Sequence, residues 1–257
     1  MSEIVTRTSG RVHHVILHRP DKRNALTAGM IDALHAAVDD AEAAGAAVLV
    51  ITADGPMFCA GADIAGYRDA AEDPVALRVF TDRARGLCER LTRTDLVVVA
   101  GVGGTALGGG FELVLAADIV IAAEGARFGL PELKLGLIPG WGGTQRLTAQ
   151  LGPARAKRVI LLGDTLMAAE LHEAGLIARL VADADELERT VATVAESLAA
   201  GPSAALAAAK HAITAAYDAE AGYRIEREGL LALFGSPDGR EGVRAFVEKR
   251  PAVWIGR

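Results

Sequence analysis

The 257-residue chain has few of the residues that define several common protein classes. It holds only two cysteines, Cys59 and Cys88, with no CxxC or Cys/His spacing, which excludes a disulfide framework and gives no zinc signature. No run of five or six like charges occurs, and the net charge is −6. A chain built to neutralise nucleic-acid phosphates would be basic, so we expect no nucleic-acid partner.

Long apolar runs are also missing. No segment reaches the roughly 20 apolar residues that a membrane helix needs, and the start, MSEIVTRTSG, lacks the basic and apolar regions of a secretory signal. We therefore expect a cytoplasmic protein with no membrane partner. The hydrophobic content of 51% is enough for a substantial core. Aromatic residues make up only 4% of the chain, and the abundant alanines lie in segments with helical periodicity, which is typical of ordered helices.

The order of apolar segments predicts alternating strands and helices. Segments 12–18, 46–51, 96–100 and 119–122 are rich in β-branched residues and are predicted as strands. Helices are predicted after Thr27, an N-cap residue, and over 75–91 and 111–117, with a glycine-rich turn over 101–110. This alternation indicates a layered α/β or α+β core.

The last third of the chain is predicted to be helical. Glycines 152, 163, 175 and 201 stand where residues just past a helix C-terminus would stand, and Ser236-Pro237-Asp238 is typical of a helix start, with that last helix ending near 250–251. We place a soft boundary near 200, which gives a core with the active site over 1–200 and a helical C-terminal region over 201–257.

A glycine-rich turn is the first candidate for chemistry. Residues 101–112 carry an apolar strand into a turn and then a helix with Glu112, and such a helix start offers unpaired amides to negative charge. An alternative is dinucleotide binding, because Gly101, Gly103 and Ala106 match the GxGxxA fingerprint and Glu124 follows at a suitable distance. These residues by themselves leave both interpretations open.

Three further segments have unusual composition. They are the small-residue loop 58–63, the segment 128–132 in which Pro131 precedes Glu132, and the glycine-rich helix start 139–146 with Trp141. Each has an ordinary explanation as well, namely a tight turn, a surface carboxylate and a mobile helix start. Together with the first turn, however, they form an ordered series.

That series resembles the crotonase, or enoyl-CoA hydratase/isomerase, superfamily from about residue 12 to 250. The motifs that carry the resemblance are HRPDKRNAL at 18–26, FCAGADI at 58–64, GTALGGGFE at 104–112, FGLPE at 128–132, IPGWGGTQRL at 138–147 and AAELHEAGL at 168–176. The resemblance implies a spiral of strand-strand-helix repeats and a helical C-terminal region that assembles a homotrimer or a dimer of trimers.

The resemblance also implies an acyl-CoA substrate and a site. Two backbone amides, by position those of Ala60 and Gly109, would hold the thioester oxygen, because preorganised donors stabilise developing negative charge. Glu112 and Glu132 would be the acid/base pair, with Glu112 activating water and Glu132 donating the proton. The presence of both carboxylates favours hydration of a trans-2-enoyl-CoA to a 3-hydroxyacyl-CoA over isomerisation or other reactions of the superfamily.

Further residues are predicted to contact substrate or coenzyme A. They are Lys22, Arg23, Ala25, Gly61, Ala62, Asp63, Ile64 and Trp141. No separate cofactor is expected, because coenzyme A is part of the substrate, and no metal is expected, because His13 and His14 point to opposite faces of a strand. Cys59 is interpreted as a small buried hydrophobe. Gly103 and Thr105 depart from the usual signature, which has a polar and an aromatic residue at these positions.

Overall fold

The computed structural model describes residues 3–63, 74–215, 236–238, 241, 245 and 248–255. Its strands are β1 (Ile4–Ser9), β2 (Val12–Leu17), β3 (Val48–Ala53), β4 (Met57–Cys59), β5 (Val97–Val102), β6 (Thr105–Leu107), β7 (Ile119–Ala123), β8 (Arg127–Gly129), β9 (Thr165–Met167) and β10 (Arg179–Val181). Its α-helices are α1 (Ala28–Ala43), α2 (Pro74–Arg93), α3 (Gly109–Val114), α4 (Gly143–Leu161), α5 (Ala168–Glu173), α6 (Ala184–Ala199) and α7 (Ser203–Thr214). Short 3₁₀ helices span Pro20–Lys22 and Glu132–Leu135.

The strands form two sheets that the chain visits in turn. The larger sheet has the order β1-β2-β3-β5-β7-β10 and the smaller one the order β4-β6-β8-β9. The pairs β3/β4, β5/β6 and β7/β8 each place one strand in each sheet, and a helix follows each pair. Because corresponding strands of successive pairs are parallel, every repeat lies beside the previous one. This arrangement confirms the predicted strand-strand-helix spiral.

Helix α1 forms where the sequence predicts it. The Thr27 side chain accepts a hydrogen bond from the Met30 amide at 3.1 Å and caps the helix. Its apolar positions Ile31, Leu34 and Val38 recur at helical spacing, and all three are buried in the core against the larger sheet. Helical periodicity and the cap together therefore placed this element correctly.

The predicted turn over 101–110 is wrong in part. Strand β5 continues to Val102, and β6 occupies Thr105–Leu107, so only the last residues of that segment lead directly into α3. A Cβ added to Gly101 would lie 2.8 Å from Cγ2 of Val191 and 3.0 Å from Cγ2 of Thr52. Gly101 is therefore explained by the close packing of α6 on the sheet.

The glycines predicted at helix ends lie at breaks in the helical region. Gly163, Gly175 and Gly201 directly follow the C-cap residues of α4, α5 and α6, as predicted. Gly152 lies inside α4, where its non-helical backbone (φ 80°, ψ 160°) kinks the helix ahead of Pro153. Most of the predicted last helix lies outside the described residues.

Helix α7 is anchored to the core by a buried cation. Lys210 Nζ donates to the carbonyls of Leu91 and Leu96 at 2.8 Å each and pairs with Asp118 Oδ2 at 2.8 Å.

Within the described ranges, no single helix is long and apolar enough to cross a membrane, whereas α6 and α7, which meet at 105°, pass that test as a bent pair. The boundary near 200 stays a prediction.

Candidate active site

Glu112 lies in the first turn of α3, a short helix whose residues are all buried. Its side chain is 2% exposed, and its Oε1 accepts hydrogen bonds from the amides of Trp141 and Gly143, both at 2.7 Å. Both donors lie at or just before the start of α4. Residues of the motif at 138–147 therefore hydrogen-bond the carboxylate of Glu112, which belongs to the motif at 104–112. Burial raises the pKa of Glu112, while the two amides and the positive charge of Arg146 act to lower it.

Glu132 follows Pro131 at the start of the 3₁₀ helix Glu132–Leu135. Its Oε2 is buried and accepts no hydrogen bond from the residues that the structure describes, and its Oε1 lies 3.1 Å from the point a Cβ on Gly108 would occupy. Burial raises the pKa of Glu132 to about 7; a hydrogen bond from the backbone of Glu132 itself acts to lower it, and the negative charge of Glu112 adds to the rise. The two glutamates that were paired from the sequence therefore both lie beside Gly108, and the charge of Glu112 affects the pKa of Glu132.

The loop over 60–63 corrects one predicted amide. The Ala60 N–H donates to the carbonyl of Arg23 at 3.0 Å, so this amide already has an acceptor within the protein. Its assignment to the oxyanion hole is therefore wrong. Leu26 bridges the loop through the Gly61 carbonyl (2.8 Å) and the Asp63 amide (2.9 Å). Ala62 lies between these two bonded residues, and in a parallel bridge the N–H of such a residue points away from the partner, here Leu26. The Ala62 N–H donates to no acceptor among residues 3–63 and 74–215.

Gly61 brings this loop against the start of α3. Its backbone is left-handed (φ 103°), and a Cβ there would lie 3.1 Å from the Leu107 carbonyl oxygen and 3.4 Å from the Gly109 nitrogen. Gly109 is the first residue of α3, so its N–H has no carbonyl partner within the helix. The free amides of Ala62 and Gly109 therefore belong to two adjoining segments, and Ala62 replaces Ala60 in the predicted pair.

Trp141 covers Gly109. A Cβ on Gly109 would lie 2.1 Å from Cζ3 of the indole, so only glycine fits there. The Trp141 residue is 4% exposed and its ring meets that of Phe80 edge-on, with centroids 5.9 Å apart. The structure thus gives Trp141 a packing role beneath the site, and its predicted contact with substrate stays a prediction.

The predicted coenzyme A contacts lie near the same loop. Lys22 and Arg23 are exposed, Ala25 is half-buried, and their turn is joined to the loop by the hydrogen bond from Ala60. Asp63 pairs with Arg19 at 2.5 Å, which gives its side chain a structural partner. Ile64 lies outside the described residues. The ligand roles of these residues stay predictions.

Asn24 was missed in the sequence, although it holds this turn together. It is fully buried, its Nδ2 donates to the carbonyls of Asp54 and Met57, and its Oδ1 accepts from the Arg19 amide, each at 2.8 Å. Its backbone is left-handed (φ 53°), a conformation that asparagine tolerates better than most residues. An asparagine that follows a proline turn was the available signal.

Other candidate chemistry has structural explanations. Cys59 is a free, fully buried cysteine, which agrees with its interpretation as a small buried hydrophobe, and burial raises the pKa of its thiol to about 12. No group of three or more His, Cys, Asp or Glu side chains suited to a metal ion occurs in the described part of the chain. The dinucleotide fingerprint is wrong, because Gly101 lies within β5 and strand β6, which contains Ala106, stands before the helix.

Comparisons with known proteins identify the family of the chain. A sequence model of the family described as enoyl-CoA hydratase/isomerase matches residues 7–257. A Dictyostelium discoideum protein named as a probable mitochondrial enoyl-CoA hydratase is 38% identical over 97% of this chain and 89% of its own length. The 2,3-dehydroadipyl-CoA hydratase of Escherichia coli is 36% identical over 100% of both chains. The crystal structure of an enoyl-CoA hydratase from Bacillus anthracis superposes with a TM-score of 0.92 at 33% identity, covering 100% of each chain. The chain belongs to the enoyl-CoA hydratase/isomerase family.

Proposed function

We propose that this protein hydrates a trans-2-enoyl-CoA to the 3-hydroxyacyl-CoA. The observation that carries the proposal is the unequal environment of two neighbouring carboxylates, that of the buried Glu112 and that of the half-buried Glu132. Glu112 accepts two backbone N–H groups, whereas Glu132 has a buried oxygen without a hydrogen-bond donor among the described residues and a pKa raised to about 7. The two amide hydrogen bonds thus favour the charged, base form of Glu112, whereas burial favours the protonated, acid form of Glu132, and water addition requires one group of each kind.

In the proposed reaction, Glu112 accepts a proton from water while the water oxygen forms a bond to the β-carbon. The electrons of the double bond move toward the thioester carbonyl, and Glu132 supplies its proton to the α-carbon. One water molecule is added in total, and the proton now on Glu112 returns to Glu132 through solvent before the next turnover. Each positioned acid or base typically contributes about 10²- to 10⁴-fold in rate.

The thioester oxygen, which becomes negative during this step, would lie between the amides of Ala62 and Gly109. Both N–H groups are free of acceptors in the described chain, and Gly61 and Trp141 hold their segments by close packing. Donors fixed in advance stabilise such an oxyanion without reorganisation, and one of them typically contributes about 10²- to 10³-fold in kcat. We propose Ala62 and Gly109 as this oxyanion hole.

The names of the relatives indicate which acyl chains to test as substrates. The relatives described above are named for enoyl-CoA and for 2,3-dehydroadipyl-CoA, so a straight acyl chain and a chain ending in a carboxylate are both suitable probes. From the resemblance we also propose a homotrimer or dimer of trimers in the cytoplasm, without a cofactor beyond the coenzyme A of the substrate.

The test is an absorbance assay for loss of the conjugated enoyl thioester, run on trans-2-enoyl-CoAs of increasing chain length and on 2,3-dehydroadipyl-CoA. Saturable loss of absorbance with 3-hydroxyacyl-CoA as product supports hydration. Conversion of a 3-enoyl-CoA to a 2-enoyl-CoA, without water uptake by any probe, would assign isomerisation instead. Tight acyl-CoA binding without turnover of any probe would indicate a non-catalytic binder.

A further inference from the structure

The turn formed by Trp141, Gly142 and Gly143 holds the carboxylate of Glu112. For two amides two residues apart to converge on a single oxygen, the peptide between them must turn, and Gly142 does so with a left-handed backbone (φ 109°, ψ 4°). The conformation of this turn therefore decides whether Glu112 receives its two hydrogen bonds, which raises the question of what holds the turn.

Arg146 holds it from the first turn of α4. Its Nη1 donates to the Trp141 carbonyl at 2.8 Å, and its backbone N–H donates to the Gly142 carbonyl at 2.8 Å. The guanidinium also fills the space beside Gly142, because a Cβ on Gly142 would lie 2.0 Å from Nη1. A hydrogen bond from a charged donor is stronger than one from a neutral group, so this contact fixes the peptide firmly.

The same guanidinium acts on Glu112 through its charge. It is one of the causes that lower the pKa of the Glu112 carboxyl, and it opposes the effect of burial. The other titratable groups facing this region are Glu132, whose charge would act in the opposite sense, and the thiol of Cys88, whose Sγ lies 3.8 Å from the Glu112 carbonyl oxygen. Burial raises the pKa of the Cys88 thiol to about 12, so it stays neutral.

Arg146 also lines a cavity of about 880 Å³ between the segment 115–119, which follows α3, and the helices α4 and α7. Two further charged groups line this cavity, Asp118 and Lys210, and they form an ion pair with each other at 2.8 Å. Within the described residues Arg146 is thus the cation placed to balance the charge of Glu112.

We propose that Arg146 is a positioning residue that keeps the turn at 141–143 aimed at Glu112 and so holds Glu112 in the base form needed for water activation. Arg146 acts through the turn and through its charge, because its hydrogen bonds go to the carbonyls of Trp141 and Gly142. The role of the ionised Glu112 rests on the function proposed above, whereas the coupling between Arg146 and Glu112 does not.

The variants for the test are Arg146→Met, which removes the charge and the donor, and Arg146→Lys, which keeps the charge but lacks the forked geometry. Arg155→Met is the matched control, because Arg155 is an exposed residue of the same helix. We expect Arg146→Met to lower kcat near neutral pH by about 10- to 100-fold, with a smaller change in KM. Arg146→Lys should lose less activity, and Arg155→Met should match the parent protein.

The distinguishing readout is the pH dependence of kcat/KM. Loss of the guanidinium and of the aimed amides raises the pKa of Glu112, so the acidic limb should move to higher pH by about one unit in Arg146→Met. Arg146→Lys should leave the limb close to its parental position. A folded Arg146→Met protein with the parental acidic limb would overturn the proposal, even if its kcat were low, because a purely structural role has that outcome.

An infrared titration separates this inference from the proposed reaction. The protonated-carboxyl band that Glu112→Gln abolishes should appear at higher pH in Arg146→Met than in the parent, and this needs no substrate. If no enoyl-CoA were hydrated but the band shifted, the reaction would be wrong and the positioning role would stand. Hydration by the parent with an unshifted band would reject the role of Arg146 alone.

Discussion

The surroundings of Glu112 and Glu132 differ more than their sequence contexts do. Each glutamate is preceded by glycine within three residues, and burial raises the pKa of both. Yet two amides from the start of α4 reach Glu112, whereas Glu132 has a buried oxygen with no donor in the described chain. The comparison teaches that backbone donors contributed from elsewhere in the fold distinguish two carboxylates whose sequence contexts are alike, and the proposed acid and base roles rest on this difference.

The largest expected effect comes from making the two side chains neutral. Glu112→Gln and Glu132→Gln should each lower kcat for hydration by about 10²- to 10⁴-fold, because each removes one proton-transfer group while preserving shape. The steady-state absorbance assay at pH 7 measures both.

Glu124→Gln is the control for these two variants, because Glu124 is exposed at the end of β7. It should retain parental turnover. Hydration that survives intact in Glu112→Gln would remove Glu112 from the mechanism and with it the contrast between the two carboxylates.

The next effect concerns the two amides of the 60–63 loop. Replacing the amide N–H of residue 62 by an ester oxygen in a semisynthetic protein should lower kcat by about 10²- to 10³-fold with little change in stability. The same exchange at residue 60 should cost about 0.5–1.5 kcal/mol in free energy of unfolding and keep kcat, because that N–H bonds to Arg23.

Enzyme kinetics together with urea unfolding of both semisynthetic proteins measure this pair. The reverse pattern, with kcat lost at residue 60 and retained at residue 62, would restore the assignment made from the sequence.

The pH profile should also report the difference between the carboxylates. Because Glu132 must be protonated to donate, kcat/KM should fall as pH rises through about 7, the value to which burial raises its pKa. The residual activity of Glu132→Gln should lack this basic limb. A profile of the parent that stays flat to pH 9 would contradict the assignment of Glu132 as the acid.

A smaller effect is expected on stability. The folded-state pKa of Glu132 is raised from 4.5 to about 7, so the folded protein favours the protonated form of this side chain. Stability is therefore lost as the pH rises from 4.5 to about 7, and the full loss is present above pH 7. Glu132→Gln should therefore raise the free energy of unfolding at pH 8 by roughly 1–3 kcal/mol. The gain should vanish near pH 4, where the glutamate is protonated in both states.

Urea unfolding at both pH values measures this gain. Glu112→Gln is the comparison variant and should gain less, because its parent carboxylate already accepts two amide hydrogen bonds that stabilise the charged form. Equal gains at the two positions would show that the amides do not distinguish the carboxylates.

Periodicity and caps were sufficient to place helix α1, as its Thr27 cap shows, and four strands of the larger sheet, β2, β3, β5 and β7. The short strands of the smaller sheet were not predicted, because three residues are too few to show a periodicity. The direction of single peptide groups could not be predicted in the same way. Whether Ala60 or Ala62 presents a free N–H depends on the bonds of the loop to Arg23 and Leu26, more than 30 residues away. Likewise, Gly101 and Gly109 are both glycines beside apolar strands, but the first makes room for Val191 and the second for Trp141. Such reasons arise only from tertiary packing.

The most direct test of hydration by this pair is isotope uptake during turnover of crotonyl-CoA in deuterated, ¹⁸O-labelled water, with the early product examined by mass spectrometry and NMR. We expect 3-hydroxybutyryl-CoA with one ¹⁸O at the β-carbon and one deuteron at the α-carbon, formed by the parent and strongly slowed in Glu112→Gln. Deuteron exchange or migration of the double bond without ¹⁸O uptake would contradict hydration and leave only proton transfer at this site.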